Sequence, residues 1–553
     1  MTGTKVLEIY EKMRQERNGM DDIWAEVIRY CFPQERVQYS AFGGDTKLAG
    51  WRRANPVCSY PVTFTQRLGS AIHANAFPAN DYWFDLSVVD GEMKDDEEMR
   101  DWCRLARDVC HYKIRQGTNF YQESHAMMIS LAALGTACFY TYYKRGMLCF
   151  RHIPIHKNVY IYSNSDGEID TVALLHQWTA KEAIDEYGRD NVGESVRRMF
   201  DDNSSGSGET FSYVQLVYPK KTFGENYSER KGEKPYGDVT VELDTGRVVK
   251  VGQHGSFPFA VPRFLVYSDD VYGRSPAMNA MPDIRAANAL RKNVLDATVR
   301  AVKPPLFIDN ALGDVSIESG ALNVVSGLTK DSIWTPPPLQ NVEMGKETQQ
   351  EVLESLKQAF FIDVFQAIEQ QKYMTATEVT ERVNQKVESI SPIVTRIQSE
   401  FSSKVVKRCL ELLVENGDIP EPPIRGGEKL MKIAYISRLD SMIQQGVAAK
   451  SMNFINQLNL LGQTAAAMPE MMDVLDTDKL IRALGDANML PAHFFRKESE
   501  VQNMRMARQQ QAAAMQQAQQ NSLNAKSAAD LSQAQLNAAS AQNRGSGSIG
   551  GNF

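Results

Sequence analysis

Cysteine is scarce in this 553-residue chain, which has seven cysteines and no C-x-x-C pair. Cys103 and Cys110 lie seven residues apart, which is the spacing of one helix face and not that of a zinc knuckle. The sequence therefore predicts neither a disulfide framework nor structural zinc. This cysteine usage favours folding in a reducing compartment.

Signatures of catalysis are also missing. The chain has no G-x-x-x-x-G-K-[ST], H-E-x-x-H or G-x-S-x-G motif. His152 and His156 are four residues apart, but Pro154 between them breaks the helix that would present both to one metal ion. We therefore expect no catalytic residues, no metal site, no cofactor and no enzymatic activity. The alternative to this expectation is an enzyme that acts on nucleic acid with the help of a metal ion or of carboxylate side chains.

The chain has no excess of positive charge, because 61 Lys and Arg stand against 68 Asp and Glu, a formal net charge of −7. A protein whose whole surface clamps nucleic acid needs the opposite balance. Hydrophobic residues make up 43% and charged residues 23%, as in ordinary soluble proteins. The length predicts three or four domains or one elongated protein of several parts.

One uncharged run, at positions 126–143, just reaches the minimum length for crossing a membrane. Gly135 interrupts it. The residues before this glycine have a helical pattern, and residues 136–143 have a strand pattern. We predict a buried helix, a turn and a strand here, and a membrane span is the alternative.

Residues 1–270 alternate between helix and strand patterns and predict an α+β unit. The predicted helices are a pair within residues 1–30 that is broken near Asn18-Gly19, then 61–77 and 92–116. The last of these has the inner face Met99, Trp102, Cys103, Ala106, Cys110 and Ile114. The predicted strands are 147–153, 158–163, 171–178, 211–218, 238–243 and 248–251, with loops at 40–60 and 204–208.

Helical signals dominate after residue 272. Ser275-Pro276 and then Pro282 predict two helix starts, and Pro304-Pro305 ends the helix near Val302. Three short strands are predicted in 304–340 (305–308, 321–325 and 333–334), followed by a helix over 346–371. Thr375 and Glu378 form a capping box.

This capping box opens a long helix over 376–416, kinked at Ser391-Pro392. Its apolar residues recur every four positions: Ile393, Ile397, Phe401, Val405, Cys409 and Leu413. A further helical region is predicted over 428–490. Residues 501–544 hold 12 Ala and 11 Gln, so this segment is either disordered or a long helix packed against copies of itself.

The two helices on either side of 304–340 carry opposite net charges. Residues 282–303 contain five basic and two acidic residues, and residues 346–372 contain three basic and five acidic residues. Glu347, Glu351 and Glu354 share one face of the second helix. The two helices are expected to pair within or between subunits. Ordinary solvated faces are the alternative.

Three stretches resemble the portal (head-to-tail connector) protein of short-tailed, podovirus-type bacteriophages. They are RLGSAIHANAFPANDYWFDL (Arg67–Leu86), YGRSPAMNAMPDI (Tyr272–Ile284) and MTATEV (Met374–Val379). The order of the parts is also similar, over about residues 1–500. Another oligomeric virion or scaffold protein, without a DNA channel, is the competing interpretation.

The resemblance implies a mainly helical, portal-like ring subunit of a dodecamer at one capsid vertex in the virion. Its implied parts are an α+β wing (1–270), a helical stem (271–303 and 346–371) around a small β clip (304–345), a tunnel loop (372–378), a long kinked wing helix (379–416), a helical crown (417–500), a C-terminal barrel helix (501–544) and a flexible tail (545–553).

The resemblance also implies site residues and partners. Lys372, Tyr373, Met374 and Thr375 would face DNA in the tunnel loop. Glu347, Glu351, Glu354, Arg285, Lys292 and Lys303 would line the channel or the contact between stems. The implied partners are eleven further copies, double-stranded DNA bound without sequence specificity, capsid and scaffolding proteins, the terminase large subunit, tail adaptor or nozzle proteins, and internal core proteins.

Overall fold

The structure is a computed structural model that describes residues 1–33, 57–88, 97–201, 209–225, 232–267, 270–304, 306–309, 318, 321–325, 333–334, 342–370, 389–423, 431–436 and 498–545. The chain divides into two units, Met1–Gly446 and Val447–Phe553. The first unit holds all of the described sheets, and the described part of the second unit is one helix.

Helices and strands alternate through the first unit, as expected for an α+β chain. The helices are α1 (Gly3–Cys31), α2 (Tyr60–Ala76), α3 (Glu97–Arg115), α4 (Phe120–Leu134), α5 (Ile155–Asn158), α6 (Ala180–Tyr187), α7 (Glu194–Asp201), α8 (Pro276–Asn279), α9 (Met281–Val302), α10 (Val342–Ala359), α11 (Ile362–Gln370), α12 (Ser403–Glu415) and, in the second unit, α13 (Glu498–Gly545). The strands are β1 (Phe84–Val88), β2 (Cys138–Lys144), β3 (Met147–Ile153), β4 (Val159–Ser163), β5 (Ile169–Thr179), β6 (Thr210–Pro219), β7 (Tyr236–Glu242), β8 (Val248–His254), β9 (Phe259–Ala260), β10 (Leu306–Asp309), β11 (Leu322–Val325), β12 (Ile333–Trp334) and β13 (Met431–Tyr435).

The strands form four sheets, with the orders β4-β5-β6-β7-β8, β3-β2-β9, β1-β13 and β11-β10-β12. The five-stranded sheet is an antiparallel meander. Its hairpin turn at Asp166-Gly167 joins β4 to β5, and Gly167 has φ of 77°, a left-handed conformation that costs glycine little. The short helices α6 and α7, which the sequence patterns did not predict, follow β5.

The largest hydrophobic core surrounds α4, which is apolar on nearly all sides and therefore needs neighbours all round. The predicted helix, turn and strand over 126–143 are confirmed, since α4 ends at Gly135, which has φ of 74°, and β2 follows. At Gly69 of α2 an added Cβ would lie 2.6 Å from the Cα of Ile129, so the missing side chain permits this close helix contact. Among the helices described, none is long and apolar enough to span a membrane.

Helix α1 is continuous, so the predicted break near Asn18-Gly19 is wrong. Gly19 lies on the exposed side, where a glycine costs the helix about 1 kcal/mol. Met13, Met20 and Trp24 continue the buried face on both sides of it. Burial of that face outweighs the local propensity, which is why the turn signal fails.

The two helix starts predicted at Ser275-Pro276 and Pro282 are confirmed. The Ser275 hydroxyl accepts a hydrogen bond from the backbone N–H of Met278, and α9 restarts with Pro282 in its first turn. The helix predicted over 346–371 is interrupted, however. It consists of α10 and α11, which are separated at Phe361, where φ is 55°. Phe360 and Ile362 are both buried, so tertiary packing holds this break in the core.

A long helix covers residues 389–415, and its predicted apolar face from Ile393 to Leu413 is entirely buried. A recurrence every four residues drifts about 40° per step around an ideal helix. The π-helical turn Gln398–Ser402 takes up one extra residue and limits this drift. Asn416-Gly417 ends the helix as predicted. Residues 376–388, the first part of the predicted helix, lie outside the described residues.

Residues 431–435 are strand β13, so the helical region predicted over 428–490 is wrong at its start. β13 pairs antiparallel with β1, which lies far earlier in the chain, and local sequence patterns carry no signal of this partner. The rest of that region lies outside the described residues. The Ala/Gln-rich segment is the helix α13, and Met515, Leu531 and Leu536 on it are exposed.

Candidate functional site: the α9–α10 hairpin

The candidate site is a helical hairpin made of α9 and α10, joined by the chain that carries β10, β11 and β12. Its root is fixed in the main core, where Ile284, Leu356 and Phe360 are buried. Beyond Ala287, every described residue of α9 is exposed or half-buried. The hairpin is thus packed in the core at its root, and beyond the root its two helices pack mainly against each other.

Two contacts fix how the helices face each other. A Cβ added to Gly345 would lie 3.5 Å from Cγ2 of Val294. Nearer the root, the Ser355 hydroxyl donates a hydrogen bond to Asp283 Oδ2 at 2.8 Å. The residue numbers of each pair add up to 638 or 639, so the two helices are antiparallel. A residue of α9 therefore lies at the same height along the hairpin as the residue of α10 whose number completes this sum.

The predicted basic residues of α9 share one line on the side away from α10. At about 100° per residue, Arg285 and Lys292 lie about 180° and 160° around the helix from Val294, and Lys303, the residue that caps the end of α9, follows on the same side. All three are exposed. We call this line the basic edge.

The predicted acidic residues of α10 share the opposite edge of the hairpin. Glu347, Glu351 and Glu354 lie about 180–240° around the helix from Gly345, and all three are exposed. We call this line the acidic edge. Because the two edges point away from each other, the opposite charges of the helices do not neutralise one another inside the hairpin.

A third face of the hairpin is apolar and exposed. Leu295, Val299 and Val302 are 39%, 49% and 74% exposed. They lie about 80–140° around α9 from Val294, between the basic edge and the contact with α10. Apolar surface left in water at the outer end of the hairpin is typical of a contact that is completed by another molecule.

Ion pairs and hydrogen bonds hold the root in place. The Arg285 guanidinium donates two hydrogen bonds of 2.6 Å to the Glu26 carboxylate of α1, and this carboxylate raises the pKa of Arg285. The Asn288 side-chain oxygen accepts hydrogen bonds from the backbone N–H groups of Val57 and Cys58. On the acidic edge, Lys357 forms a 2.6 Å ion pair with Glu354 of its own helix.

The outer end of the hairpin carries the small sheet. β10 pairs parallel with β11 from Leu306↔Leu322 onward and antiparallel with β12, where Phe307 is opposite Trp334. The three short strands predicted within 304–340 are confirmed. This sheet lies in the chain between α9 and α10.

The structure brings six of the ten predicted site residues together on the two edges of one hairpin. The other four, Lys372, Tyr373, Met374 and Thr375, lie outside the described residues. Glu26, the partner of Arg285, was not predicted, since it lies in α1, far from α9 along the chain, and no sequence pattern links the two. In the described parts of the chain, no three or more His, Cys, Asp or Glu residues cluster in a way that could hold a metal ion.

Comparison with known proteins gives a match along nearly the whole chain. Residues 3–495 match the model of a family described as "Bacteriophage head to tail connecting protein". The "Portal protein" of Salmonella phage epsilon15 is 24% identical over 524 residues, which cover 93% of this chain and 92% of that protein. The "Probable portal protein" of Bordetella phage BPP-1 is 22% identical over 525 residues, with the same coverage of 93% and 92%.

Solved structures give a more distant likeness. A chain from the neck of an empty GTA particle is 11% identical, with a TM-score of 0.35, over 74% of this chain and 90% of that chain. A chain from the virion of the native gene transfer agent (GTA) particle has the same TM-score at 12% identity, over 78% of this chain and 89% of that chain. The family match carries the assignment, because it spans well over half of the sequence: this chain belongs to the family of bacteriophage head-to-tail connecting proteins.

Proposed function

We propose that this chain is the portal subunit of a phage virion. Twelve copies form a ring at one capsid vertex, assembled in the host cytoplasm, around a channel through which double-stranded DNA is packaged and later ejected. The ring binds the terminase large subunit first and tail adaptor or nozzle proteins afterwards. Family membership and two relatives that are both named portal proteins support this proposal.

In this proposal the α+β body of residues 1–270 is the wing, and the α9–α10 hairpin is the stem with the β10–β12 sheet as its clip. The clip is the surface for the motor and the tail proteins, because it lies at the free end of the hairpin. Residues 417–500 are the crown, and capsid, scaffolding and internal core proteins are further partners. Helix α13 lines the ring as a barrel, with identical helices as its partners.

The observation that carries the proposal is the unfinished burial of the hairpin. Leu295, Val299 and Val302 are exposed beyond a root that is packed in the core. Identical neighbours arranged around a closed ring would cover such surfaces in every subunit by one repeated contact. A chain that completes its hairpin with copies of itself fits a connector better than a monomeric enzyme.

The charge of the chain suits a conduit. Twelve copies at −7 each carry about −84 formal charges. Every phosphate that a Lys or Arg neutralises adds binding that must be broken when the duplex moves. A mainly acidic or neutral lumen with a few basic residues would therefore let DNA slide while it is steadied.

The basic side chain that steadies DNA in the lumen belongs, in this proposal, to the segment that follows α11, and α11 ends at Gln370. Lys372, Tyr373, Met374 and Thr375 form the proposed tunnel loop. Deletion of 372–375 is expected to leave ring assembly intact and to impair packaging or retention of DNA. Ring formation is measured by native mass spectrometry, and packaged DNA is measured in virions complemented with the variant. Normal packaging by the deletion would contradict the tunnel-loop assignment.

End-on negative-stain images of the purified particle test the ring itself. We expect twelve-fold symmetry and an open axial pore wide enough for a duplex. A closed or poreless oligomer would favour another virion or scaffold protein. A nuclease assay with Mg²⁺ and Mn²⁺ tests the enzyme alternative. Cleavage that is abolished by Glu→Gln substitutions would show that the chain has an enzymatic function besides that of a connector.

A further inference from the structure

The two edges of the hairpin have opposite charge, and this difference limits how two hairpins can meet. In a two-fold contact the same patch faces itself, so a basic edge would face a basic edge. In a head-to-tail contact the basic edge of one hairpin faces the acidic edge of the next. Of these two contacts between edges, only the second is electrostatically favourable, and it leaves an unused edge of each kind until a ring closes.

We infer that neighbouring subunits pair the basic edge of one α9 with the acidic edge of the next α10, and this inference rests on the proposed ring. The occupant of each edge is a second copy of this chain. Lys292 on one side and Glu347 on the other supply the complementary charge, and both side chains are exposed. Arg285 and Glu354 lie on the same two edges nearer the root, where each already has an ion-pair partner in its own chain, Glu26 and Lys357 respectively.

The levels of the two helices set the register of this contact. The pairs Val294–Gly345 and Asp283–Ser355 sum to 639 and 638. Subunits of a ring are related by rotation, so residues at equal height meet when the hairpins stand along the ring axis. Lys292 then lies level with Glu347 of the next copy, and Arg285 lies level with its Glu354, since both sums are again 639. Lys303 lies level with residue 336, beyond the start of α10.

The pairing also assigns the remaining faces of the hairpin. If both edges are covered by neighbours, the lumen and the outer wall are formed by the faces between the edges. Leu295, Val299 and Val302 border the basic edge on α9, so the copy that pairs with this edge also covers the apolar face beside it. Glu347, Glu351 and Glu354 then belong to the contact between subunits and not to the channel wall, which resolves the two roles that the sequence left open for them.

The test uses two charge reversals in the full chain, Lys292→Glu and Glu347→Lys. Each variant alone should weaken assembly, because every contact in its ring then sets like charges opposite each other. We expect each to raise the concentration needed for half-assembly about tenfold at low salt. Added salt should reduce this defect, because exposed charges are screened within about 10 Å at 0.1 M ionic strength.

Mixing the two variants is the decisive measurement. A Lys292→Glu subunit beside a Glu347→Lys subunit restores opposite charges at both of its contacts, but only in alternation. Equimolar co-expression, with a tag on one variant, should therefore restore rings that native mass spectrometry finds to contain the two variants in a ratio of one to one. A pairing within one chain would not be restored by mixing, and neither would a variant that fails to fold.

Lys346→Glu is the matched control. It makes the same change of charge as Lys292→Glu, at the position next to Glu347. Residue 346 lies about 100° around α10 from Gly345 and therefore outside the acidic edge. It should assemble like the wild type. Single reversals that also assemble like the wild type, or a mixture that stays unassembled, would overturn the pairing while the wild-type ring stands. A wild-type chain that forms no ring would overturn both the pairing and the proposed function.

Discussion

The helix over residues 389–415 and α9 are both long helices with regularly spaced apolar residues, yet they meet very different surroundings. The first buries its apolar face along its whole length, from Ile393 to Leu413. Helix α9 buries only its first turns and exposes Leu295, Val299 and Val302. The difference shows that an apolar helix face predicts a partner but not where that partner comes from. One helix finds it in its own chain, and the other leaves it to another molecule.

The long helix and the hairpin also differ in how their charges are held. Within the long helix, Glu400 lies in the π-helical turn and accepts hydrogen bonds from both the backbone N–H and the guanidinium of Arg263. The Arg263 side chain is 5% exposed. On the hairpin, Glu354 and Lys357 form an ion pair with side chains that are 57% and 32% exposed. Water screens the second pair and barely reaches the first.

Removal of a core side chain from the long helix should have the largest effect on the stability of the chain. The Phe401 ring is fully buried and contacts the Phe77 and Phe139 rings, with centroids 5.5 and 5.1 Å away. We expect Phe401→Ala to lower the free energy of unfolding by about 4 kcal/mol, from lost burial and the cavity left behind. Denaturant unfolding of the unassembled chain measures this. Val302→Ala on α9 is the contrasting variant and should stay within about 0.5 kcal/mol of the wild type. Equal losses from the two would remove the distinction between the helices.

Removal of one partner of the buried ion pair should come next. Glu400→Ala leaves the Arg263 guanidinium buried without its main partner, and we expect a loss of about 3 kcal/mol in the same measurement. Glu354→Ala breaks an exposed ion pair of the hairpin and should cost less than about 1 kcal/mol. A loss from the hairpin variant as large as that from Glu400→Ala would show that its edge is buried in the single chain, contrary to the structure.

A change of pH should have the smallest of these effects, and it should act on the body of the chain. His111 is 5% exposed, stacks on Phe84 with ring centroids 4.0 Å apart, and donates a hydrogen bond from Nε2 to the Phe84 carbonyl. Burial, with a smaller contribution from Arg115, lowers the pKa of His111 to about 4. The unfolded chain, with a histidine pKa near 6.5, then binds the proton more readily. Stability from this group is therefore present above pH 6.5 and falls between pH 6.5 and 4.

We expect a loss of about 1 kcal/mol between pH 7 and pH 5.5 from His111 alone. Thermal unfolding across this pH range measures the loss. The wild type and a variant are compared by how steeply their stability changes with pH, not by their absolute stability. His111→Gln removes the titrating group, so its stability should change less with pH over the same range. An identical slope in the variant would assign the pH dependence to other groups, among which His73 also has a pKa that burial lowers to about 4.

Local sequence signals predicted most of the elements, and their failures have a common cause. The Ser275-Pro276 start, the break at Gly135 and the three short strands between α9 and α10 depend on side chains close in sequence, and all are confirmed. The predicted break at Gly19 and the predicted unbroken helix through Phe361 were wrong, because packing against distant residues overrode local preference. Strand β13 was missed because its partner, β1, belongs to a distant part of the sequence.

The candidate site shows the same division. The charges of α9 and α10 and the common face of Glu347, Glu351 and Glu354 could be predicted from residue type and helical period. Whether those charges pair inside the hairpin could not, because this depends on which sides of α9 and α10 face each other. The contacts Val294–Gly345 and Asp283–Ser355 decide it.

The sequence by itself determined the α+β class of the first unit and the two charged helices around a small β segment, since short-range periodicity and turn chemistry encode each of them. Only the tertiary structure decided that α1 runs unbroken, that β13 joins β1, and that the basic and acidic edges of the hairpin point in opposite directions. Those outcomes depend on contacts between residues far apart along the chain, and the free energy of such contacts cannot be assigned to any local stretch of sequence.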